Sequence, residues 1–275
     1  MSEGILLSSL LVILLSLFVI LSERKLLAFA HRRMGPSIMG RNGAFQIVAD
    51  LLKMLSKELF IIPRSTTTLA PIFLSLLFTA QLLFSLNFAW GPSMLLIDGV
   101  DSMILYHLIL ILLSNIFFSV LGLLSQSRYA IIGTVRGLVH VISLDIFIRV
   151  IYSLLVFSSQ SANFHDFVLF QSSYWSLFLY APAASGFILI LFLESKRAPF
   201  DHSETEAEVV AGYATEYNGS MLLMIMLCEY MHLVISVIHF VIFFIGGWGS
   251  FEVLSLLPPI FLSYTHSNFF SALFF

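Results

Sequence analysis

The sequence has few charged residues and only one cysteine. Lys, Arg, Asp and Glu make up 11% of the 275 residues, whereas a soluble globular domain carries about 25%. A water-facing surface cannot be assembled from this composition, and a net charge of −3 gives no indication of nucleic-acid binding. The single Cys228 excludes a disulfide framework and a site built from several cysteines. Any redox centre therefore belongs to a partner.

Long apolar runs take up most of the chain, 59% of which is hydrophobic. A helix that crosses the hydrocarbon core of a membrane needs about 20 apolar residues. Six runs meet this requirement, at 5–21, 69–90, 103–124, 135–157, 174–193 and 217–248. A seventh run, 259–275, is marginal because polar residues interrupt it. We predict an all-α polytopic membrane protein with six transmembrane helices, forming a single membrane domain over 1–275.

Lys and Arg are confined to alternate connections between these runs. Eight follow the first run, two follow the third and two follow the fifth, while the other connections have none. Because basic loops stay on the negative, inner side of an energised membrane, we predict that the amino terminus lies outside. The exception, Arg149, lies inside the fourth run, where Asp145 at position i−4 can pair with it.

The first basic connection carries a helical pattern over 44–60. Apolar residues recur there at steps of three and four, namely Phe45, Val48, Leu52, Leu55 and Leu59. Asp50 and Lys53 fall on another face, which predicts an amphipathic helix in the membrane interface. This helix is either a simple surface anchor or a wall that lines a cavity with the first helix. In the second case Gly35-Pro36 and Gly40 shape the turns between them.

Ionisable residues also lie where the membrane makes them unfavourable, so we expect them to face a protein interior or a water path. In the sixth run Glu229, His232, Ser236 and His239 advance by three, four and three residues and share a face. A structural role is the more common one for each histidine alone, but the shared face with Glu229 favours function.

The connection 194–216 is rich in carboxylates. An acidic run is ordinarily a solvated loop, but apolar residues interleave this one and it lies on the side that otherwise favours bases. Its acidic members are Glu194, Asp201, Glu204, Glu206, Glu208 and Glu216. Carboxylates crowded in a partly dry cavity raise one another's pKa. We therefore predict a cluster that loads and releases protons, in which Pro199 prevents one continuous helix.

No phosphate-binding loop, dinucleotide fingerprint, zinc-protease motif or nucleophile elbow occurs. Three segments instead resemble the signatures of a known family: SERKLLAFAHRRMGPSIMGRNGAFQIVADLLKMLSKE, QSRYAIIGTVRGLVHVISLD and ESKRAPFDHSETEAEVVAGYATEYNGSMLLMIMLCEY. Together they are similar to chain 1 of NADH:ubiquinone oxidoreductase, the quinone-chamber membrane subunit of respiratory complex I. The resemblance covers residues 1 to 248 in matching order.

The resemblance implies a subunit that couples quinone reduction by NADH-derived electrons to proton translocation in the mitochondrial inner membrane. It implies ubiquinone as the substrate, bound at an interface with partners, with no intrinsic redox cofactor and no metal. The implied partners are the hydrophilic iron-sulfur and quinone-site subunits, small and antiporter-like membrane subunits, and lipids.

Matching positions also imply roles for individual residues. The quinone-chamber candidates are Glu23, Arg24, Arg33, Phe45, Asp50 and Lys53. The proton-coupling candidates are Arg136, Asp145, Glu194, Arg197, Asp201, Glu204, Glu206, Glu208, Glu216 and Glu229. At position 145 the family usually has Glu, so the carboxylate is kept on a shorter side chain. At position 149 it is usually apolar, so Arg149 either partners Asp145 or contacts another subunit.

The segment 249–275 departs from the family, which continues through two further helices joined by an Arg-rich segment. Either a second short chain supplies them or other subunits meet their function. We favour the second chain, and the heavy use of Phe, Leu and Ile fits an organellar gene. Three other interpretations stay open: the membrane anchor of a related energy-converting hydrogenase, an ion-coupled transporter, and a purely structural anchor. A transporter predicts inverted repeats, which the sequence does not show. A structural anchor leaves the buried carboxylates unexplained.

Overall fold

The computed structural model describes residues 2–40, 43–58, 69–86, 102–125, 127–171, 175–197, 200 and 217–247. Within these residues the elements are α1 Ser2–Ala30, α2 Gln46–Leu55, α3 Ala70–Leu86, α4 Met103–Leu124, α5 Arg128–Ser159, α6 Phe164–Phe170, α7 Ser176–Leu179, α8 Ala181–Glu194, α9 Gly219–Phe240 and a π-helical segment Val241–Ile245. The described part of the chain contains no strand. The predicted all-α fold is confirmed.

Among the residues that the structure describes, three helices are long and apolar enough to cross a membrane: α4, α5, and α9 together with its π-helical segment. Helices α3 and α8 are also apolar but shorter, with 17 and 14 residues. Helix α1 has 29 residues and carries charges towards its carboxyl end. The predicted marginal span 259–275 lies outside the described residues, as does most of the acidic segment 194–216.

Two spans extend beyond their predicted bounds. Helix α1 continues to Ala30 instead of ending at residue 21, so Glu23 and Arg24 lie on a helix and not in a loop. It stops where Arg32 takes a left-handed φ of 53°. Helix α5 begins at Arg128 instead of residue 135 and has 32 residues, which at 1.5 Å per residue makes it about 48 Å long. Such a length exceeds the hydrocarbon core, so charged helix ends can reach water.

The predicted fifth span is not one helix. The chain forms the short α7, turns at Tyr180 and restarts as α8, with Pro182 in the first turn of α8. Proline lacks the backbone donor and cannot continue a helix, which explains the break. The connection before it, which carried no predicted structure, contains α6, where Phe164 and Phe167 are fully buried.

The predicted sixth span ends in the π-helical segment Val241–Ile245. A π-helical turn interrupts the regular backbone bonding of a helix, and backbone groups inside a membrane must find partners within the protein. The Gln171 amide donates to the carbonyls of Ile242 and Phe243 at 3.0 Å each. The Ser176 hydroxyl donates to the Phe243 carbonyl as well. These side chains fix the end of α9 against α6 and α7.

Helix α9 is the centre of the bundle, since it packs against α1, α2, α3 and α8. Helix α5 packs against α4, α6 and α8. The larger core cluster, which we call the aromatic core, includes Tyr152, Phe164, Phe167 and Phe243 and lies towards the predicted outer end. A smaller cluster joins α3, α4 and the start of α9 through Leu77, Leu121 and Ile225.

The predicted amphipathic helix is present but shorter than 44–60, as α2. The turn before it uses Gly40 at a left-handed φ of 75°, a conformation that glycine adopts without strain. Gly35 lets the chain approach α1 closely, since a Cβ added there would lie 3.3 Å from that of Ala28. None of the α2 residues is buried, and Phe45 and Leu52 are 65% and 62% exposed. The apolar face of α2 is therefore left for lipid or a ligand tail.

Candidate functional site

A charged cavity lies between α3, α4, α5, α8 and α9. Its wall contains the charged residues Asp145, Glu194, Lys196, Arg197 and Glu229 and the polar residues Gln81, Asn115, His140 and His232. Its volume is about 90 Å³; since one water needs roughly 10–15 Å³, the cavity has room for several water molecules. The helix bundle thus brings charged side chains from several helices around a space that is large enough for water.

Asp145 is a buried carboxylate in the cavity wall. Its Oδ1 accepts a hydrogen bond from Asn115 Nδ2 at 3.3 Å, and its Oδ2 lies 3.7 Å from Arg149 Nη2. The predicted pairing of Asp145 with Arg149 is confirmed. The side chain of Arg149 is 43% exposed. The pair therefore extends from the cavity wall, where Asp145 lies, to the exposed surface of α5.

Glu229 pairs with a cation from the connection after α8, a contact that the sequence pattern does not predict. The Lys196 ammonium lies 3.4 Å from Glu229 Oε1 and 4.2 Å from the centre of the Phe118 ring. Lys196 follows the end of α8 with a left-handed φ of 49°. The turn after α8 therefore brings a cation to the carboxylate in the middle of α9.

Among the described residues, the partner of Glu194 is a histidine and not a lysine or arginine. Its Oε1 lies 2.6 Å from His232 Nε2, and both side chains are largely buried. The other ring nitrogen, Nδ1, lies 3.4 Å from the amide nitrogen of Gln81. Three helices, α3, α8 and α9, thus hold this pair.

A network at the edge of the cavity joins α1, α9 and the chain after α8. The Tyr230 hydroxyl donates to Glu23 Oε2 at 2.7 Å. Arg197 donates to the same carboxylate oxygen at 3.2 Å and also to the Tyr230 hydroxyl. Burial alone lowers the pKa of Arg197, but Tyr230 and Glu23 outweigh it, so the pKa is raised and the guanidinium stays charged.

The predicted quinone-chamber residues do not form one cluster. Glu23 joins the network with Arg197 and Tyr230, whereas Arg24 forms a separate surface pair with Asp50. Gln46 donates to the other Asp50 oxygen at 3.1 Å. The polar face of α2 thus meets α1, but no α2 residue lines the cavity.

The remaining predicted residues that the structure describes lie outside the cavity wall. Four are exposed: Arg33, Phe45, Lys53 and Arg136. Five others lie outside the described residues: Asp201, Glu204, Glu206, Glu208 and Glu216. Sequence reasoning missed Tyr230 and Gln81, because contacts between residues more than 100 positions apart leave no local spacing pattern. Among the described residues no group of three metal-binding side chains occurs.

A second, much smaller cavity lies on the other side of Glu194 and His232. Its volume is about 10 Å³, and its wall also includes Tyr152, Ser236 and His239. The ring of His239 lies 4.5 Å from that of His107, centre to centre, and both residues are buried. The predicted polar stripe of α9 therefore crosses from one cavity to the other.

Comparisons with known proteins identify the family. The family model for NADH dehydrogenase matches residues 4–275. The match therefore extends past residue 248, where the resemblance described in the sequence analysis ends. NADH-ubiquinone oxidoreductase chain 1 of Paramecium tetraurelia is 34% identical over 230 residues, covering 84% of this chain and 88% of the relative. The Metridium senile protein of the same name is 34% identical, covering 85% and 70%. A bacterial relative, an NADH-quinone oxidoreductase subunit of Carboxydothermus hydrogenoformans, is 30% identical, covering 86% and 67%. The chain belongs to the NADH dehydrogenase family.

Proposed function

We propose that the protein is a core membrane subunit of respiratory complex I, and that it couples quinone reduction by NADH-derived electrons to proton translocation. One observation carries this proposal: Asp145, Glu194 and Glu229 come from three helices to the wall of one water-sized cavity within a membrane bundle. The names of the relatives support the same conclusion, since they are NADH-ubiquinone and NADH-quinone oxidoreductase subunits. They do not favour a hydrogenase anchor or a transporter.

Each cavity carboxylate has a different partner, so a charge added nearby would change the protonation of the three carboxylates to different extents. Asp145 faces Arg149, Glu229 faces Lys196, and Glu194 faces His232. An added negative charge nearby raises the proton affinity of all three carboxylates. Reduction of quinone to quinol takes up two electrons and two protons. We propose that this event changes the charge near the cavity and moves protons along its acidic wall.

The quinone would enter beside α2. The exposed apolar face of α2, which includes Phe45 and Leu52, suits an isoprenoid tail. The network of Glu23, Tyr230 and Arg197 lies between this entrance side and the cavity and offers hydrogen bonds to a carbonyl headgroup. Electrons would arrive from hydrophilic partner subunits that carry iron-sulfur clusters. The acidic residues 201–216 would extend the proton path on the inner side.

We further propose a position in the mitochondrial inner membrane, with the amino terminus towards the intermembrane space. The distribution of Lys and Arg supports this orientation. Small and antiporter-like membrane subunits would lie beside the bundle, where α5 exposes the apolar residues Ile146, Phe147, Val150 and Phe157. The whole chain would act as a single membrane domain.

A matched pair of variants in the assembled complex tests the proposal. Glu229→Gln removes a cavity charge, whereas Glu58→Gln removes an exposed charge just after α2. We expect Glu229→Gln to lower both NADH:quinone reduction and proton pumping by roughly a hundredfold, the lower end of what a positioned proton-transfer group contributes. Glu58→Gln should leave both unchanged. Normal reduction and pumping in Glu229→Gln would exclude the cavity from the mechanism.

Binding of a quinone-like inhibitor separates the proposal from its nearest rival. A complex I subunit should carry photoreactive inhibitor label on α1 or α2, and excess ubiquinone should prevent the labelling. A hydrogenase anchor needs no quinone and should show no such labelling.

A further inference from the structure

Lys196 brings a positive charge from the turn after α8 to the carboxylate in the middle of α9. Its ammonium lies 3.4 Å from Glu229 Oε1, and the two side chains are 30% and 18% exposed. We propose that Lys196 is a positioning residue for proton coupling, which keeps Glu229 ionised until quinone reduction adds negative charge nearby. Glu229 then takes up a proton only at that stage. The inference rests on the proposed function and adds the residue that controls one of its carboxylates.

The partly buried setting of this pair makes the charge of Lys196 effective. Water and salt screen an exposed ion pair, such as Arg24 with Asp50, whose side chains are 50% and 34% exposed. Lys196 and Glu229 lie in the cavity wall and are exposed to a smaller extent. An opposite charge at this distance favours the ionised form of a carboxyl group, by roughly tenfold or more in the ratio of carboxylate to acid. Removal of the ammonium should therefore increase the protonated share of Glu229.

The ammonium is held in place from two directions. Its nitrogen lies over the Phe118 ring of α4, 4.2 Å from the ring centre, and the face of an aromatic ring attracts a cation. The backbone of Lys196 takes a left-handed φ of 49°, directly after the helix cap Ser195. Glycine is the usual residue at that position, because it adopts this conformation without strain. Lysine thus occupies a position that favours glycine, and a glycine variant can test its side chain alone.

The other cation of the cavity wall is engaged elsewhere. Arg197 donates to Glu23 and to the Tyr230 hydroxyl at the edge of the cavity. The remaining titratable groups in the described wall are Asp145 and His140 from α5, Glu194 from α8, and Tyr230 and His232 from α9. Helices α3 and α4 add no titratable side chain to this wall. Lys196 is therefore the cation of the wall that lies in direct contact with Glu229.

The step is a proton transfer that involves no electron transfer within this chain. Glu229 begins as a carboxylate beside the ammonium. Electrons that reach quinone add negative charge until the quinone receives its own protons, and a proton carried by cavity water then binds to Glu229. When that negative charge is gone, Lys196 favours release of the same proton to water, which restores the carboxylate. Lys196 keeps its three ammonium protons throughout.

The test combines infrared difference spectra with the protons moved per NADH, both measured on the assembled complex, the second in sealed vesicles. Lys196→Met removes the ammonium and keeps an unbranched stem. We expect the ionised share of Glu229 to fall roughly tenfold or more, so that Glu229 holds its proton with quinone oxidised and reduced. The carboxyl band that Glu229→Gln removes should then vanish from the difference spectrum, and fewer protons should move per NADH. Lys196→Arg keeps the charge and should keep both signals. Lys57→Met, exposed just after α2, is the matched control.

Lys196→Gly separates the charge from the backbone. It removes the ammonium and also the strain of the left-handed φ, so we expect a complex that melts no lower than the unaltered one. The Glu229 band and the proton ratio should nevertheless be lost, as in Lys196→Met. If neither variant assembles, Phe118→Leu keeps both charges and removes only the ring beside the ammonium. It should change the band and the ratio in the same direction, to a smaller extent.

Three outcomes separate this inference from the proposed function. If Glu229→Gln lowers reduction and pumping while Lys196→Met and Lys196→Gly keep the band and the proton ratio, the inference is overturned and the proposed function stands. If Lys196→Arg loses both signals as fully as Lys196→Met, the charge of the side chain is not what matters, and the inference is again overturned. If Glu229→Gln keeps normal reduction and pumping, the proposed function itself fails.

Discussion

The two halves of this bundle deal with polar groups in opposite ways. Towards the predicted inner end, side chains from five elements surround water-sized space and meet as ion pairs, such as Glu229 with Lys196. Towards the predicted outer end, Tyr152, Phe164 and Phe243 fill the interior. The polar side chains buried there include Gln171 and Ser176, which donate to backbone carbonyls, and the two histidines His107 and His239. In the described residues, the buried charged side chains lie where each has a partner and there is space for water. The aromatic core contains no charged side chain, as expected where the protein leaves no room for water.

Breaking the ion pair between Asp145 and Arg149 should have the largest effect on assembly. Asp145→Leu leaves Arg149 without its carboxylate inside the membrane-spanning helix α5, where an unpaired charge costs about 3 kcal/mol. We expect little assembled complex, measured by native gel electrophoresis. The charge-swapped double variant, Asp145→Arg with Arg149→Asp, should recover assembly better than either single change. Equal loss in the double variant would contradict direct pairing.

The outer half is tested by Gln171→Leu. This change removes the amide that donates to the carbonyls of Ile242 and Phe243. The Phe243 carbonyl keeps the Ser176 hydroxyl, whereas the Ile242 carbonyl loses its side-chain partner, and a buried acceptor left without a partner costs about 1–3 kcal/mol. We expect the purified complex to melt at a lower temperature, while quinone reduction per assembled complex stays normal. Gln160→Leu, at the exposed end of α5, is the control and should not change the melting temperature. A loss of reduction in Gln171→Leu without lower stability would contradict a purely structural role.

The edge of the inner half is tested by Tyr230→Phe. The change removes the hydroxyl between Glu23 and Arg197 but leaves their own 3.2 Å contact. Loss of one hydrogen bond to a charged group is worth about 1.5–3 kcal/mol at most. We expect the KM for quinone to rise severalfold with a smaller change in kcat. Tyr129→Phe, exposed on α5, should keep the normal KM, and an unchanged KM in both variants would remove Tyr230 from the quinone site.

The smallest effect is expected for Asp50→Asn, which breaks the surface pair with Arg24. Half of the Arg24 side chain is exposed, and surface ion pairs contribute about 0–1 kcal/mol, screened by salt. We expect a slight loss of stability at low ionic strength that disappears at high ionic strength. Asp166→Asn on α6 provides the comparison. A large loss that persists at high salt would place Asp50 in the catalytic cavity instead.

The sequence predicts the helices better than it predicts their ends. Hydropathy locates all the described spans, because lipid demands long apolar runs. It misplaces the end of α1, since Glu23 and Arg24 continue the helix beyond the apolar residues. It also joins α7 to α8, because an apolar run does not reveal a turn at Tyr180.

The same limit applies to the site. Charges inside apolar runs identify Asp145 and Glu229, and the spacing in α9 identifies His232. Partners from distant segments cannot be found this way: Arg197 and Glu23 are 174 positions apart. Hydropathy also hides the role of Gln171, which depends on a π-helical turn with no sequence signal of its own.

The most direct test asks whether cavity carboxyl groups change protonation when quinone is reduced. Infrared difference spectra of the intact complex, recorded with quinone oxidised and reduced, report this in the carboxylic acid carbonyl region. We expect a carboxyl band that is lost or shifted in Glu229→Gln and in Glu194→Gln but kept in Glu58→Gln. Identical difference spectra in the unaltered complex and both cavity variants would contradict it.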